Sequence, residues 1–334
     1  MSEMRILIND DIPQALWDDL VENNVHSTPF QTHRFYRFIN VVKDTSAVAV
    51  AVSDGGTLKA LAVMTLQEEK GPAAFLSKRG IIFGGPLAEK EYPQALDMLL
   101  KEIDNIAGRG VIYLETRNLS DYSFFKEVFI SNGFNYTPYL NFRVDTLDMD
   151  LMRQRVSSSR LRQIKKAQQK SVICREASNA DEVAQFYKLL KALYKRKLHK
   201  PLPGEDFFVK FYETGPGKYF LVWHDDRIIG GIMCPILAGR VVYEFYVCGL
   251  DDEYSEMYPS VMATWSAMEY AVKNSIPLFD FMGAGKPDEH YGVRDFKARF
   301  GGEPVEFGRF LKIRKPLLYQ IGKRGLKIMK ITGR

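Results

Sequence analysis

The sequence predicts an α/β fold with mixed sheets, built as two tandem copies of one unit. Three observations support this prediction. The chain has 334 residues, more than one ordinary core requires. Its 46% hydrophobic and 26% charged residues are typical of a globular protein. The same order of apolar runs and helical patterns occurs twice along the chain, so an internal duplication is the simplest explanation of its length.

The first copy begins with a predicted meander of antiparallel strands. Its apolar or alternating runs are short and are bounded by turn residues such as Asp54, Gly55 and Gly56, as strands in a meander are. Helical and strand patterns then alternate, which extends the sheet. The predicted elements are strands at 47–54, 58–67 and 74–85, a helix at 91–108, a strand at 111–118, a helix at 122–131 and a strand at 134–145.

The second copy repeats that order. Its meander has a predicted turn at Asp225 and Asp226, in the place that the Asp-Gly turn has in the first copy. The predicted elements are strands at 218–226, 227–237 and 240–249, a helix at 258–274, a strand at 276–282, a helix at 289–300 and a strand at 303–313.

Charge and pattern together predict four segments. We expect an N-terminal domain at 1–150, a basic linker helix at 151–170, a C-terminal domain at 171–313 and a basic amphipathic tail at 314–334. The linker carries seven Lys or Arg and no acid, and residues 309–334 carry nine and no acid. Such local basic surfaces on an otherwise acidic chain indicate anionic partners.

Several classes of protein are excluded or disfavoured. The three cysteines, Cys174, Cys234 and Cys248, lack a C-x-x-C spacing, so we expect reduced, buried thiols in a cytoplasmic protein. The start of the chain lacks the pattern of a signal peptide. Motifs for zinc, for calcium and for a G-x-S-x-G hydrolase are absent, so we expect no metal and no tightly bound cofactor.

Five sequence stretches carry a family resemblance. They are "TPFQTHRFYRF" (28–38), "SSSRLRQIKKAQQK" (157–170), "LYKRKLHKPLPGEDFF" (193–208), "RIIGGIM" (227–233) and "FDFMGAG" followed by "FKARFGG" (279–302). In this order and spacing the chain resembles the Fem-type aminoacyl and acyl transferases, which include the enzymes that build peptidoglycan interpeptide bridges. The resemblance covers essentially the whole chain. It implies two tandem acyl-CoA N-acyltransferase-like domains, related to the Gcn5-type N-acetyltransferase fold.

The resemblance also implies a site. The family's Phe-Lys pair matches Phe296 and Lys297, where the lysine would stabilise charge at the reacting carbonyl. The family's arginine for the phosphates of a nucleotide-linked acceptor matches Arg196. The other predicted substrate-binding residues are Gln31, Arg34, Tyr243, Tyr246 and Arg294. The predicted phosphate or tRNA contacts on the linker are Arg160, Arg162 and Lys165.

The residues themselves leave alternatives open at this site. Phe296 and Phe300 share a helix face, so Lys297 could simply lie at the edge of a packed core. The first copy contains a similar pair, Phe125 and Lys126, which favours packing, whereas the glycines around Lys297 occur only in the second copy. A phosphate of the acceptor could serve as the catalytic base. The candidate side chains for the base are Asp295, Asp280, Glu244 and Tyr243.

The predicted function is transfer of an acyl or aminoacyl group to an amino group of a nucleotide- or lipid-linked cell-envelope precursor, such as a peptidoglycan stem peptide or an amino sugar. The acetyl-coenzyme A loop pattern of Gln or Arg, Gly three residues on and Gly or Ala five on is absent, which favours aminoacyl-tRNA as the donor. Two alternatives remain. One is an acyl-CoA-dependent transferase for another small amine, and the other is a non-catalytic protein that binds nucleic acid or another anionic ligand.

The tail combines basic and apolar residues, which allows two interpretations. It either docks on the body of the protein or lies on an anionic membrane beside a lipid-linked acceptor, at the inner face of the membrane. Its apolar residues are Leu317, Leu318, Ile321, Leu326, Ile328, Met329 and Ile331.

Overall fold

A computed structural model describes residues 3–69, 74–198, 201–289 and 291–332. From Leu326 onward it describes the backbone alone. The chain forms two compact units. Unit 1 contains Met1–Pro138 and Phe307–Arg334, and unit 2 contains Tyr139–Glu306.

Unit 1 is built on one mixed sheet. Its order in the described residues is β1-β2-β3-β4-β6-β16-β7, with β5 paired to β3, and the β4–β6 pair is parallel. The strands are β1 (Arg5–Ile8), β2 (Ser46–Asp54), β3 (Thr57–Gln67), β4 (Arg79–Gly84), β5 (Leu87–Ala88), β6 (Tyr113–Asn118), β7 (Asn135–Thr137) and β16 (Arg309–Ile313).

The helices of unit 1 begin at recognisable signals. Thr32 caps the second helix by accepting a hydrogen bond from the Phe35 amide, and Pro93 opens the third at a position that needs no donor. The helices are α1 (Gln14–Asn23), α2 (His33–Val41), α3 (Pro93–Ile106), α4 (Lys126–Ser131) and α11 (Pro316–Thr332), with 3-10 turns at Asn9–Asp11, Pro29–Gln31, Ala74–Leu76 and Ser123–Phe125.

Unit 2 has a sheet of the same design. Its order is β9-β10-β11-β12-β14-β8-β15 in the described residues, with β13 paired to β11, and the β12–β14 pair is parallel. The strands are β8 (Leu140–Asp145), β9 (Ile173–Glu176), β10 (Gly217–His224), β11 (Arg227–Leu237), β12 (Val241–Tyr243), β13 (Tyr246–Gly249), β14 (Leu278–Gly283) and β15 (Glu303–Glu306).

The helices of unit 2 include the basic segment. Ser157 caps its longer helix by accepting from the Arg160 amide, and Asn179 caps the next one by accepting from the Glu182 amide. The helices are α5 (Met149–Arg155), α6 (Ser158–Gln169), α7 (Ala180–Leu193), α8 (Glu205–Thr214), α9 (Pro259–Lys273) and α10 (Val293–Ala298), with a π-helical turn at Tyr194–Leu198.

Both meanders turn at the predicted places. Gly55 and Gly56 have φ of 57° and 83°, and Asp225 and Asp226 have φ of 46° and 59°. Positive φ at both central residues is typical of the tight turns that match strand twist, and aspartate and glycine tolerate it best. The duplicated turn predicted from the sequence is therefore present in both units.

The two sheets have equivalent strand orders, but each is completed by a strand from elsewhere in the chain. Strand β8 follows unit 1 in the sequence and lies in the sheet of unit 2, whereas β16 follows unit 2 and lies in the sheet of unit 1. The observed division therefore differs from the domain boundaries expected at residues 150 and 313. Sequence periodicity sees each strand but not its partner, because pairing is a long-range property.

Four predicted elements are divided in the structure. The expected linker helix is two helices that meet at Val156 and Ser157, and both belong to unit 2. The expected strand 240–249 breaks at Glu244 and Phe245. The expected strands 134–145 and 303–313 each become two strands that lie in different sheets, and a glycine at 308 with φ of 64° separates the second pair.

Each unit has its own core, with apolar residues from one face of the sheet packed against helices. In unit 1, α3 covers the sheet with Leu96, Leu99 and Leu100. In unit 2, α9 contributes Trp265 and Met268. Cys234 and Cys248 are buried and free, and Cys174 is half-buried and free, as expected for a reduced protein. Across the described ranges, every helix is too short or too polar to span a lipid bilayer.

The break between β15 and β16 can be tested at Gly308. A Cβ there would lie 2.2 Å from the Tyr136 ring, and the φ of 64° already disfavours a side chain. We expect Gly308→Ala to lower the free energy of unfolding by about 3 kcal/mol. Gly239 is the matched control, because it has φ of 69° but nothing within 4 Å of a Cβ, so Gly239→Ala should cost only about 1 kcal/mol. Urea unfolding measures both, and equal losses would contradict the packing at Gly308.

Candidate active site

The candidate site lies in unit 2, where two parallel strands part. Strands β12 and β14 pair only at Val242 with Phe279 and at Tyr243 with Asp280. The amide of Glu244 donates one more hydrogen bond, 2.9 Å long, to the Asp280 carbonyl, and β12 then ends.

Beyond Asp280, β14 is irregular. Its register against β8 shifts between Asp280 and Gly283, and Met282 has φ of 56°. A non-glycine residue in this left-handed region is strained, and such strain is often found at functional sites. The carbonyl groups at the end of β14 therefore need partners from outside the sheet.

Lys297 supplies those partners from α10. Its Nζ donates to the carbonyl oxygens of Phe281 and Gly283, each at 2.8 Å, and to that of Met282 at 3.4 Å. An ammonium group has three donors, so all three are used. The side chain is almost inaccessible, with Lys297 only 4% exposed.

Two buried carboxylates accompany this lysine. Glu244 accepts a 2.9 Å hydrogen bond at Oε2 from the Thr264 hydroxyl on α9. Asp280 accepts at Oδ2 from Arg143 Nε on β8, also at 2.9 Å, and at Oδ1 from the Met282 amide at 2.6 Å. Glu244, Asp280 and Lys297 are thus all buried around the end of β14, and Arg143 on β8 is the second cation that binds there.

Burial changes the proton affinity of all three buried groups. Desolvation raises the pKa of Glu244 and of Asp280. The positive charge of Lys297 partly offsets this shift in both residues, and Arg143 offsets it further at Asp280. Desolvation also lowers the pKa of Lys297, against the opposing influence of Glu244 and Asp280. A buried glutamate with a raised pKa is a stronger base than an exposed one, which suits it to accept a proton from a reacting group.

Phe296 packs outward from Lys297 onto Arg160. The guanidinium carbon of Arg160 lies 4.6 Å from the ring centroids of both Phe296 and Phe300. Its Nη1 donates to Gln163 Oε1 at 2.7 Å, while its Nε has no partner in the described parts of the chain. Burial and the nearby Arg299 lower the pKa of Arg160 to about 10. Arg160 thus supports α10 as a buried cation, although the sequence predicted a phosphate contact.

The other linker cations are on the surface. Arg162 and Lys165 are exposed on α6 and make no ion pair with the described residues. Lys166 and Lys170 both contact Glu256, and the Lys166 Nζ lies 2.7 Å from it. Hydrogen bonds from these lysines lower the pKa of the Glu256 carboxyl to about 2. Two of the three predicted phosphate contacts are therefore accessible.

The remaining predicted residues of unit 2 have mixed positions. Arg196 lies on the π-helical turn, exposed, with Nη2 at 2.7 Å from Asp252 Oδ2. Arg294 donates to the Ala284 carbonyl at 2.9 Å and also to the Lys286 carbonyl, so it holds the glycine turn after β14.

The two predicted tyrosines follow the end of β12. Tyr243 is buried beside the β12–β14 pair, whereas Tyr246 is half-buried in an aromatic wall. The ring centroid of Tyr246 lies 5.1 Å from that of Phe208 and 6.4 Å from that of Tyr194. Burial raises the pKa of Tyr194 to about 12, with the neighbouring Tyr291 also contributing.

The equivalent region of unit 1 is filled by neutral side chains. Gln31 is fully buried, and its Nε2 donates to the Gly85 carbonyl at 2.8 Å. The Tyr122 hydroxyl lies 3.0 Å from the Gly84 carbonyl oxygen and 2.7 Å from that of Pro86. Gln31, a predicted substrate contact, thus satisfies backbone groups of unit 1.

Two more residues of unit 1 complete this comparison. Arg34 is exposed on α2 of unit 1. Lys126, the lysine of the similar Phe-Lys pair in the first copy, is exposed too. The buried charges therefore distinguish unit 2.

Sequence reasoning found some of these residues and missed others. Lys297, Glu244 and Asp280 were all candidates, but nothing in the sequence connects them to Arg143 or Thr264. Arg143 lies on β8, which follows unit 1 in the sequence but belongs to the sheet of unit 2. Thr264 is one of many small residues on α9. No group of three His, Cys, Asp or Glu side chains that could hold a metal occurs in the described ranges.

A comparison with protein families matches residues 154–297 to an acetyltransferase (GNAT) domain. The matched segment runs from α5 to Lys297 and so includes the parting strands and both buried carboxylates. A comparison with curated proteins finds no match.

Solved structures with the same fold cover nearly the whole chain. FemX is 14% identical, with 94% of this chain and 99% of that chain covered and a TM-score of 0.72. A tandem GNAT protein from the clavulanic acid biosynthesis pathway is 12% identical, with 93% and 98% covered and a TM-score of 0.58. L-PGS from Bacillus licheniformis is 12% identical, with 93% and 96% covered and a TM-score of 0.57.

These similarities confirm the fold predicted from the sequence, a mixed α/β protein with two tandem GNAT-like units of the kind seen in FemX. Together with the matched acetyltransferase domain they support an enzyme that transfers an acyl or aminoacyl group. The roles of individual residues remain predictions.

The structural part of Lys297's role can be tested by unfolding. Lys297→Met keeps an unbranched side chain of nearly the same length but leaves three backbone carbonyls without their donor. We expect a loss of about 3 to 5 kcal/mol in the free energy of unfolding, because each buried carbonyl left unsatisfied costs about 1 to 3 kcal/mol. Lys126→Met is the matched control at the exposed counterpart and should change stability by less than about 0.5 kcal/mol. A similar small loss for both variants in urea unfolding would show that Lys297 does not hold the end of β14.

Proposed function

We propose that this protein is a cytoplasmic N-acyl or aminoacyl transferase that forms an amide on an amino group of a cell-envelope precursor. The acceptor class follows from the resemblance to the Fem-type transferases and is supported by the fold shared with FemX. The observation that carries the proposal is that Lys297 and Glu244 are both buried where β12 and β14 part, within the segment that matches an acetyltransferase domain, and that each charge shifts the pKa of the other.

Amide formation needs one base and one oxyanion stabiliser. The acceptor nitrogen attacks the carbonyl carbon of the donor, and the carbon–oxygen or carbon–sulfur bond to the donor then breaks. We assign Glu244 as the group that takes the proton from the attacking nitrogen, which then passes to the leaving group. We assign Lys297 as the donor to the developing oxyanion, in exchange for its long 3.4 Å bond to the Met282 carbonyl.

The start of α9 favours aminoacyl-tRNA over a coenzyme A thioester as the donor. Helix N-termini are natural sites for a diphosphate. Here Pro259 removes one amide donor, and Asp251 accepts from the Ser260 amide at 3.1 Å and from its hydroxyl. A carboxylate therefore occupies the position that an anion would take. The exposed cations Arg162 and Lys165 on α6 suit the backbone of a polyanion instead.

The base assignment can be tested with Glu244→Gln. Glutamine keeps the shape of the side chain and an oxygen that accepts from Thr264, but it cannot take a proton. Transfer should fall about 10²- to 10⁴-fold. In the wild type, activity should fall as the pH drops through a pKa above the ordinary glutamate value of 4.5, because burial raises it and only the ionised form is a base. Rates over a pH series, with a nucleotide-linked stem peptide as acceptor, measure this.

Two controls make the outcome informative. Unfolding curves should show that Glu244→Gln is folded, and Glu269→Gln on α9 should leave the rate unchanged. Full activity and an unshifted acid limb in Glu244→Gln would eliminate Glu244 as the base. Absence of transfer by the wild type with every donor and acceptor would favour the binding protein that uses the same cations without catalysis.

The donor assignment can be tested with Arg162→Ala/Lys165→Ala. With aminoacyl-tRNA as donor, we expect KM to rise about tenfold and the salt dependence of log KM to weaken by about one unit of slope per cation removed. Lys188→Ala, at an exposed position on α7, is the control and should behave as the wild type.

Coenzyme A supplies the opposite test of the same assignment. Free coenzyme A should not raise the Tm of the wild type. Stabilisation by coenzyme A, together with transfer from an acyl-CoA thioester, would make the acyl-CoA alternative the correct one and leave the enzyme class standing.

A further inference from the structure

Over the side chains that are described, up to Gly325, helix α11 contacts the rest of unit 1 through one face. The Tyr319 ring packs edge-on against the Tyr113 ring, with centroids 5.4 Å apart. One turn later, a Cβ at Gly322 would lie 3.0 Å from the carbonyl oxygen of Leu76. The helix therefore approaches the 3-10 turn Ala74–Leu76 closely, and Gly322 makes that approach possible.

A second face of α11 is apolar and uncovered. Leu317 is 81% exposed and Ile321 is 53% exposed, and residues four apart lie on the same side of a helix. Single exposed apolar residues are ordinary, but a helix already packed on one side normally has polar residues on the other. Leu317 and Ile321 are called the apolar row below.

The cations around the apolar row are uncompensated. Lys323 and Arg324 are exposed and form no ion pair within the described part of the chain. Lys312 and Arg314, by contrast, are both bound to Asp104 at 2.8 Å. The sequence from 309 to 334 contains nine Lys or Arg and no acid, so α11 itself supplies no carboxylate to Lys323 or Arg324.

We propose that the apolar row, flanked by Lys323 and Arg324, docks unit 1 on the surface of an anionic lipid bilayer. Exposed apolar side chains and unpaired cations on one helix are what an interfacial helix uses, because acyl chains accept the first and headgroup phosphates the second. A second copy of this chain would bring like charges together, and an RNA would use the cations but leave the apolar row in water. This proposal does not rest on the proposed enzymatic function.

Sedimentation with vesicles tests the proposal directly. The full chain should bind vesicles that contain phosphatidylglycerol at least about tenfold more tightly than vesicles of phosphatidylcholine alone, and added salt should weaken the binding. Leu317→Ser/Ile321→Ser should lower the affinity about tenfold or more, because it removes apolar surface and no charge. Lys323→Ala/Arg324→Ala should remove the preference for the anionic vesicles.

Exposed positions elsewhere provide the control. Val25 is 82% exposed in unit 1, and Val25→Ser should bind vesicles as the wild type does. Equal binding to both vesicle types, no binding, or full binding by Leu317→Ser/Ile321→Ser would overturn the proposal. So would an oligomer that forms without lipid and dissociates in that double variant, because the apolar row would then be an interface between copies. These outcomes are independent of transferase activity.

Discussion

The candidate active site of unit 2 depends on three backbone carbonyl oxygens at the end of β14 that need hydrogen-bond donors. Where β14 leaves β12 and bulges, the carbonyl oxygens from Phe281 to Gly283 lose the partners that a regular sheet would provide. Burying such groups without donors costs about 1 to 3 kcal/mol each. Lys297 meets the need with a single ammonium group, and its charge in turn requires the buried carboxylates Glu244 and Asp280. The strand irregularity therefore comes first, and the cluster of charges follows from it.

Strands β8 and β16, each of which follows one unit in the sequence but lies in the sheet of the other, carry comparable charges in both units. They are called the exchanged strands. In unit 2 the exchanged strand β8 places Arg143 opposite Asp280, and in unit 1 the exchanged strand β16 places Arg309 at 3.0 Å from Glu115. In both units an arginine on the exchanged strand thus binds a carboxylate on the antiparallel strand beside it. The two units differ at the end of the parallel strand pair. In unit 1 the neutral side chains of Gln31 and Tyr122 bind the carbonyl groups of Gly85 and Gly84 there. Among the described residues, the buried lysine and glutamate of unit 2 thus have neutral counterparts in unit 1 where the strands part.

The sequence predicted what depends on local pattern. Alternation, helical spacing and paired Asp or Gly turns gave both meanders and the helices that follow them, because these signals act over a few residues. The helices α1, α2, α7 and α8, which precede the meanders, were not predicted. The partners of β8 and β16 could not be predicted, since each looks like the last strand of its own repeat. The Phe-Lys pair was found, but the acceptors of Lys297 are backbone oxygens, which leave no signature in a sequence. Arg160 likewise looked like one more surface cation, although its guanidinium is buried against the rings of both Phe296 and Phe300.

A structural role for Lys297 does not argue against a catalytic one. A lysine that already lies in its final position, desolvated and with its rotamer fixed, can donate to an oxyanion with little reorganisation. Two of its three bonds are 2.8 Å long and would hold it in place, while the 3.4 Å bond goes to the carbonyl of Met282, a residue in a strained backbone conformation. The weakest bond is thus the one that a reacting carbonyl can replace. An exposed lysine such as Lys126 would have to order a flexible chain and shed water first, which explains why the buried copy of the Phe-Lys pair is the one suited to chemistry.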